Sequence, residues 1–314
     1  MWATLGVGAG NVPLPRVQGP QILHRVARFG VSTLCAAPTV LGMILDAAAA
    51  HDQPLPRGVR VGSGGGAPPA AVIRRLEEEL GWSVVHMYGL TETTAFVTYC
   101  EPPADLGART ADDRARFTAR QGIPLLLSGR VRVVHRDGSA VRGDGQDTGE
   151  VIARGNVVMA GYHRDESATA EALQDGWFHT GDLAVVHPDG YLEIRDRLKD
   201  VIKTGGEQVP SVEVEGALAD HPGVGEVAVV AGPHPHWQET PVAFVVPRPG
   251  ARPGAQELTA FLRERLAHFK IPTRYEFVAE LPRTASGKVR KEELRRRLRE
   301  AWRGQGPEPP SSPP

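Results

Sequence analysis

The feature that most narrows the possible folds is an alternation near the start of the chain. Val31 to Ala36 is a short apolar, β-leaning run that reads as a buried strand. Pro38 and Thr39 open a helix through about Ala50. Val59 to Gly62 is a second strand, and a helix from about Pro69 to Leu80 carries Val72, Ile73, Leu76 and Leu80 at helical spacing, with Gly81 as its stop. Val84 to Tyr88 is a third strand. Strand, helix, strand, helix, strand at this spacing predicts a parallel sheet covered by helices.

The pattern then changes. Glu101 to Arg120 is polar and reads as loops with one short helix. Short strands follow over Arg130–His135, Glu150–Ala153, Leu183–His187 and Tyr191–Ile194, with hairpin turns at Asp137-Gly138 and Asp189-Gly190. From about Lys199 the order is a strand near Val201, helix 211–219, strands 225–231 and 241–246, helix 256–267, a strand over 275–278 and a helix from Lys291. The expected fold class is α/β: a partial parallel-sheet subdomain (1–100) plus a small β-rich subdomain (120–197), followed by a compact α+β C-terminal domain (198–303). A Pro/Ser-rich tail, 304–314, is expected to be disordered.

At 314 residues the chain is long enough for two cores. A net charge of −1 gives no field toward nucleic acid or an anionic membrane. Two distant cysteines, Cys35 and Cys100, make no disulfide framework and suit a reducing, cytoplasmic setting. The N-terminus lacks a signal-peptide pattern, and no apolar stretch approaches the roughly 20 residues that cross a bilayer.

Five segments carry chemistry. Ser63-Gly64-Gly65-Gly66-Ala67-Pro68 lies between a strand and a helix, where glycines let backbone amides approach an anion; a ligand-free tight turn is an equal reading. Tyr88-Gly89-Leu90-Thr91-Glu92-Thr93 sits where a strand leaves the sheet, the place where open α/β sheets bind ligands; Thr91 could equally be a helix cap. Trp177-Phe178-His179-Thr180-Gly181-Asp182, the stretch Arg195-Asp196-Arg197-Leu198-Lys199-Asp200 with Lys203-Thr204-Gly205-Gly206-Glu207, and Pro282-Arg283-Thr284-Ala285-Ser286-Gly287-Lys288 would each alone be a charge cluster or a turn. The run of Arg295, Arg296, Arg297 and Arg299 reads as the solvated face of an amphipathic helix.

In this order the five motifs resemble the adenylate-forming superfamily, which holds acyl-CoA synthetases, firefly luciferase and the adenylation domains of peptide synthetases. The likeness runs from Met1 to about Trp302. Ala37-Pro38-Thr39-Val40-Leu41, Thr98-Tyr99-Cys100, Gly155-Asn156-Val157-Val158-Met159 and Gly205-Gly206-Glu207 look most like short- and medium-chain acyl-CoA ligases. The resemblance implies an ATP-dependent acid–CoA ligase using Mg²⁺ and coenzyme A. Gly64, Gly65, Gly66 and Ala67 would border the adenine, with Tyr88 packed on it beside Gly89. Thr91 would bond phosphate or the acyl carboxylate, and Glu92 would hold the metal. Asp182 would accept from the ribose hydroxyls and Arg197 would contact ribose and phosphate. Lys288 would stabilise charge growing in the first step. Lys199, otherwise a surface lysine in a linker, would be the hinge of a rotating lobe. Lys203, Gly205, Gly206 and Glu207 would then line the thiol channel. His179 is expected to be structural.

The superfamily's Ser/Thr/Gly-rich phosphate loop ending in Pro-Lys has no match in these residues. The chain is therefore expected to lack the N-terminal part of the fold, to expose sheet edges and apolar surface, and to need a complementing N-terminal fragment for activity. The alternatives are a non-catalytic remnant or AMP-binding module, and an acyl-AMP ligase that loads an acyl carrier protein. The acyl substrate is unreadable, because the residues near its pocket, such as Val97 and Tyr99, fix little.

Overall fold

A computed structural model describes residues 2–51, 53–284 and 288–304. The chain divides into two compact units: residues up to Thr180 with Ala184–Ile194, and Gly181–Leu183 with the residues from Arg195 onward.

The first unit opens with helices α1 (Trp2–Gly6) and α2 (Gly19–Phe29). Strand β1 (Thr33–Ala36), helix α3 (Pro38–Ala48), strand β2 (Arg60–Ser63), helix α4 (Ala70–Arg75, continued by a π turn over Leu76–Leu80) and strand β3 (Ser83–Tyr88) give the expected alternation. β1–β2 and β2–β3 are parallel pairs. Gly81, at φ 66°, ends the second covering helix. Two short strands extend the sheet beyond the expectation: β4 (Thr98–Cys100) and β5 (Ile123–Pro124) add antiparallel, so the order is β1-β2-β3-β4-β5. Helix α5 (Ala111–Thr118) lies between them in sequence. Leu23, Leu41, Leu45, Leu76 and Trp82, all fully buried, form the core under the covering helices, and the Trp82 indole donates to the Pro56 carbonyl at 2.9 Å.

A second sheet follows, ordered β10-β9-β7-β6: β6 (Arg130–Val134), β7 (Thr148–Arg154), β9 (Trp177–Val186) and β10 (Leu192–Arg197), with helix α6 (Glu166–Ala172) and the short β8 (Leu173–Gln174) before β9. Both Asp-Gly pairs make turns, with Gly138 at φ 81° and Gly190 at φ 83°. The Trp177–Asp182 motif is neither a turn nor a charge cluster; it is the first half of the ten-residue β9, whose Phe178 and Asp182 are buried.

The second unit is α+β. Its sheet has the order β12-β11-β14-β13, from β11 (Ile202–Thr204), β12 (Glu207–Val209), β13 (Val224–His234) and β14 (Gln238–Pro247), with β15 (Arg274–Phe277) parallel to β14. Helices α7 (Ser211–Ala219) and α8 (Ala255–Arg263) share a core with Ile202, Val229 and Val245; α9 (Lys291–Gly304) packs Leu294 and Leu298 against Val230 and Phe244. α9 runs through Gly304, and residues 305–314 of the expected tail lie outside the described residues.

Among the described residues β1 pairs only with β2, so one edge of the first sheet is open. Leu126 and Leu127 are 96% and 87% exposed, and Leu14, Val17, Phe29 and Met43 also face solvent. Leu126 and Leu127 thus leave a small apolar patch on the surface of the first unit. Both cysteines are free thiols, and no helix among the described residues is long and apolar enough to cross a membrane.

Candidate functional site

In the first unit the glycine loop packs against Met87 and Phe96, the residues that flank the Tyr88–Ala95 turn. A Cβ on Gly64 would lie 2.7 Å from the Phe96 ring and 3.1 Å from the Met87 carbonyl, so only glycine fits. Gly65 is at φ 87°, and Gly65, Gly66 and Ala67 are exposed. Beneath the loop is His86, 2% exposed, whose Nδ1 is 2.9 Å from each of the Ala119 and Arg120 carbonyls and whose ring also bonds the Gly66 backbone. Burial pushes the imidazole below its ordinary value of 6.5, and the three backbone bonds oppose that only in part. Between the folded and unfolded values the unfolded chain binds more protons. The contribution is therefore whole above about pH 6.5 and is lost as pH falls. Urea midpoints measured from pH 7 to pH 5 should drop less steeply for His86→Gln than for the parent; equal slopes would remove His86 from the acid response.

After β3 the chain reverses sharply. A Cβ on Gly89 would meet the Ala95 carbonyl oxygen at 2.0 Å, and Thr94 and Ala95 sit at φ 51° and 78°. Two consecutive non-glycine residues in the left-handed region are costly and mark a turn held for a purpose. The cap differs from the expectation. Thr93, not Thr91, closes the turn: its buried hydroxyl accepts from the Leu90 N–H at 2.9 Å and donates to the Leu90 carbonyl at 3.1 Å. Thr91 is left exposed and Glu92 half-buried. The Glu92 carbonyl accepts from the Met159 N–H at 2.7 Å, its carboxylate accepts from the Tyr162 hydroxyl at 3.0 Å, and the Thr94 hydroxyl donates to the Val157 carbonyl at 2.8 Å. Tyr88 is half-buried against the cluster of Val133, Val151, Ala184 and Leu192. His179 Nδ1 lies 2.8 Å from Glu150.

Glu92 suits a hard cation. Among the described residues no three His, Cys, Asp or Glu side chains converge. A metal here would take one carboxylate and complete its shell with phosphate oxygens and water, the habit of Mg²⁺.

In the second unit Asp182 is buried, and the half-exposed Arg197 donates through Nε to its Oδ1 at 3.0 Å. Lys199 is exposed between two buried aspartates. Asp196 accepts from the Ser211 N–H at the start of α7 and from the Ser211 hydroxyl at 3.0 Å. Lys291 reaches the Ser211 hydroxyl at 2.6 Å and Glu215 at 2.7 Å. Burial raises the carboxyls of Asp196 and Glu215, and the Lys291 charge opposes it. Asp200 pairs with Arg295 at 2.6 Å, each side chain 10% exposed. That corrects the expected solvated face: Arg295 turns inward, while Arg296, Arg297 and Arg299 stay outside in pairs with Glu300, Glu293 and Glu292.

Lys203 and Glu207 stand on the β11–β12 hairpin, whose two-residue loop Gly205-Gly206 has φ 57° and 89°. Positive φ at both positions is the demand of a type I′ turn and explains the glycine pair. An open cleft of ≈ 440 Å³ is lined by Lys203, Gly205, Gly206, Glu207, His236 and Trp237, with the His234 ring stacked on Trp237 at 4.6 Å. Lys288 is exposed and its N–H donates to the Thr284 hydroxyl at 3.1 Å. Ala285, Ser286 and Gly287 of its motif lie outside the described residues.

The geometry thus groups Gly64–Ala67 with the Glu92 turn in one unit, and Asp182 with Arg197 in the other, where Lys199, the Lys203–Glu207 hairpin and Lys288 also belong. Sequence reasoning missed Tyr162, Lys291 and Trp237. Trp237 alone left a signal, an aromatic between polar residues before a strand.

Known proteins extend this picture. Residues 213–288 match the AMP-binding enzyme C-terminal domain. The chain is 43% identical over 298 residues to a 2-methylpropanoate–CoA ligase of Humulus lupulus, covering 94% of this chain and 53% of that protein. It is 42% identical over 294 residues to a 4-hydroxybutyrate–CoA ligase of Metallosphaera sedula, with 94% and 53% covered. Two solved structures are similar to it. An amide bond synthetase from Marinactinospora thermotolerans has a TM-score of 0.78 at 31% identity, covering 91% of this chain and 56% of that one. An o-succinylbenzoate–CoA synthetase from Bacillus subtilis, in complex with ATP and magnesium, has a TM-score of 0.78 at 29% identity, covering 95% and 57%. The chain spans about half the length of the curated relatives it matches. Residues 1–163, more than half of the chain, match the AMP-binding enzyme model, and the chain belongs to that adenylate-forming family.

Proposed function

We propose that this chain supplies the nucleotide-gripping turn and the C-terminal lobe of an ATP-dependent acid–CoA ligase. The observation that most supports this is the Glu92 turn, a strained reversal at a strand end fixed so that a half-buried carboxylate and an exposed threonine stand together. In the first step a carboxylate oxygen attacks the α-phosphorus of ATP, the bond to the β-phosphate oxygen breaks, and acyl-AMP and pyrophosphate result. In the second the thiol of coenzyme A attacks the acyl carbonyl and AMP leaves. Gly64–Ala67 border the adenine beside Tyr88 and Gly89, Asp182 accepts from the ribose hydroxyls, and Arg197 sits at ribose and phosphate. Thr91 bonds phosphate or the acyl carboxylate, and Lys288 places positive charge where negative charge grows. Mg²⁺ bound at Glu92 would neutralise phosphate charge. Lys199 is the pivot that exchanges Lys288 for the Lys203–Glu207 hairpin, and the cleft beside Trp237 accommodates the thiol substrate.

No phosphate loop matches within these 314 residues, and the open β1 edge is the surface a complementing N-terminal segment would pair with; the exposed Leu126 and Leu127 lie just past β5, at the opposite edge of the sheet. ATP–pyrophosphate exchange with a panel of acids tests this. No exchange is expected from the chain alone and exchange is expected once the N-terminal half is supplied; robust exchange by the chain alone would overturn the need for complementation. The likeness to an amide bond synthetase favours a second reading, in which the acyl-AMP passes to another acceptor, an amine or a phosphopantetheinylated carrier. Product analysis with coenzyme A, an amine and a carrier in parallel separates the two.

A further inference from the structure

We propose that Tyr162 is a positioning residue that aims the Glu92 carboxylate, and that the loop from Gly161 to Thr169 exists to hold Tyr162. The inference rests on the reading of Glu92 as a metal-facing carboxylate. The Tyr162 hydroxyl donates to Glu92 Oε1 at 3.0 Å across 70 positions of sequence, while the Glu92 backbone carbonyl takes the Met159 N–H at 2.7 Å. Glu92 is therefore fixed at both ends by one short stretch of chain, and the Thr94–Val157 bond at 2.8 Å adds a third stitch. A carboxylate on a strained turn has several rotamers, and a donor on one oxygen selects among them and leaves the other oxygen for a cation.

Tyr162 is itself placed by a local scaffold. Its N–H donates to the Thr169 hydroxyl at 2.9 Å, and that hydroxyl donates to the Asp165 carbonyl at 2.7 Å. Asp165 caps α6 by accepting from the Ala168 N–H at 2.9 Å. Gly161 must be glycine, because a Cβ there would lie 2.8 Å from the Thr169 methyl.

The test is Mn²⁺ binding, followed by loss of the free-ion electron paramagnetic resonance signal, to the full chain with saturating AMP. Glu92→Gln should abolish the bound fraction. Tyr162→Phe should weaken it about tenfold, the lower end of the ~10–100-fold typical of residues that orient metal ligands, because Tyr162 is 39% exposed. Its metal-free AMP affinity and thermal midpoint should stay at the parent values, which a general loosening of the loop would not allow. Unchanged Mn²⁺ binding by Tyr162→Phe, with AMP still bound, sinks this inference alone. Parent-like Mn²⁺ binding by Glu92→Gln also overturns it, since Tyr162 would then have no metal carboxylate to aim. A chain that takes up no AMP removes the nucleotide-site reading and this inference with it.

Discussion

Asp200→Ala is expected to lower the stability of the second unit by about 3 kcal/mol, the low end of the ~3–5 kcal/mol for breaking a buried ion pair by removing one partner. Arg295 would be left 10% exposed without the carboxylate that now sits 2.6 Å away. The cost stays at the low end because Glu292 also reaches Arg295, at 3.1 Å, from a mostly exposed position. Urea unfolding of the full chain, followed by a probe in the second unit, reads the effect. Asp200→Leu combined with Arg295→Met should recover most of the loss, because two apolar groups of similar volume replace a desolvated pair at little net cost. A single variant as stable as the parent would mean that the pair contributes nothing.

Asp182→Ala is expected to weaken AMP binding by about 100-fold. A carboxylate that accepts from both ribose hydroxyls contributes two hydrogen bonds to a charged group, at ~1.5–3 kcal/mol each. About 3 kcal/mol corresponds to roughly two factors of ten in affinity. The substitution also removes the partner of Arg197, a residue already half-exposed and able to turn to water, so the stability effect should be smaller than for Asp200→Ala. Isothermal titration with AMP decides it, and an unchanged affinity would withdraw the ribose contact from Asp182.

The alternation of β1 through β3 with its covering helices was legible because apolar period and glycine stops agree there. β4 and β5 were not: strands of three and two residues are too short to show a period, and they exist because the sheet edge at β3 recruits them. The Trp177–Asp182 motif looked like a turn because His179, Thr180 and Gly181 dilute its apolar residues, yet it runs as a strand that buries Phe178, Asp182 and Ala184. Arg295 was misread because helical periodicity places it beside solvated arginines. Only the fold could bring Asp200, 95 residues earlier, to meet it. Tyr162 carried no signal at all, since its meaning lies in a contact 70 residues away. Motif order identified the family, while the side chains that steady the motifs had to be seen in place.

The Gly205-Gly206 hairpin has one more consequence. Both central residues are already left-handed and the flanking Thr204 and Glu207 are in register, so the tip is stiff before any ligand arrives. A molecule entering the cleft beside Trp237 meets a finished wall, and the entropy lost in shaping that wall was surrendered when the chain folded.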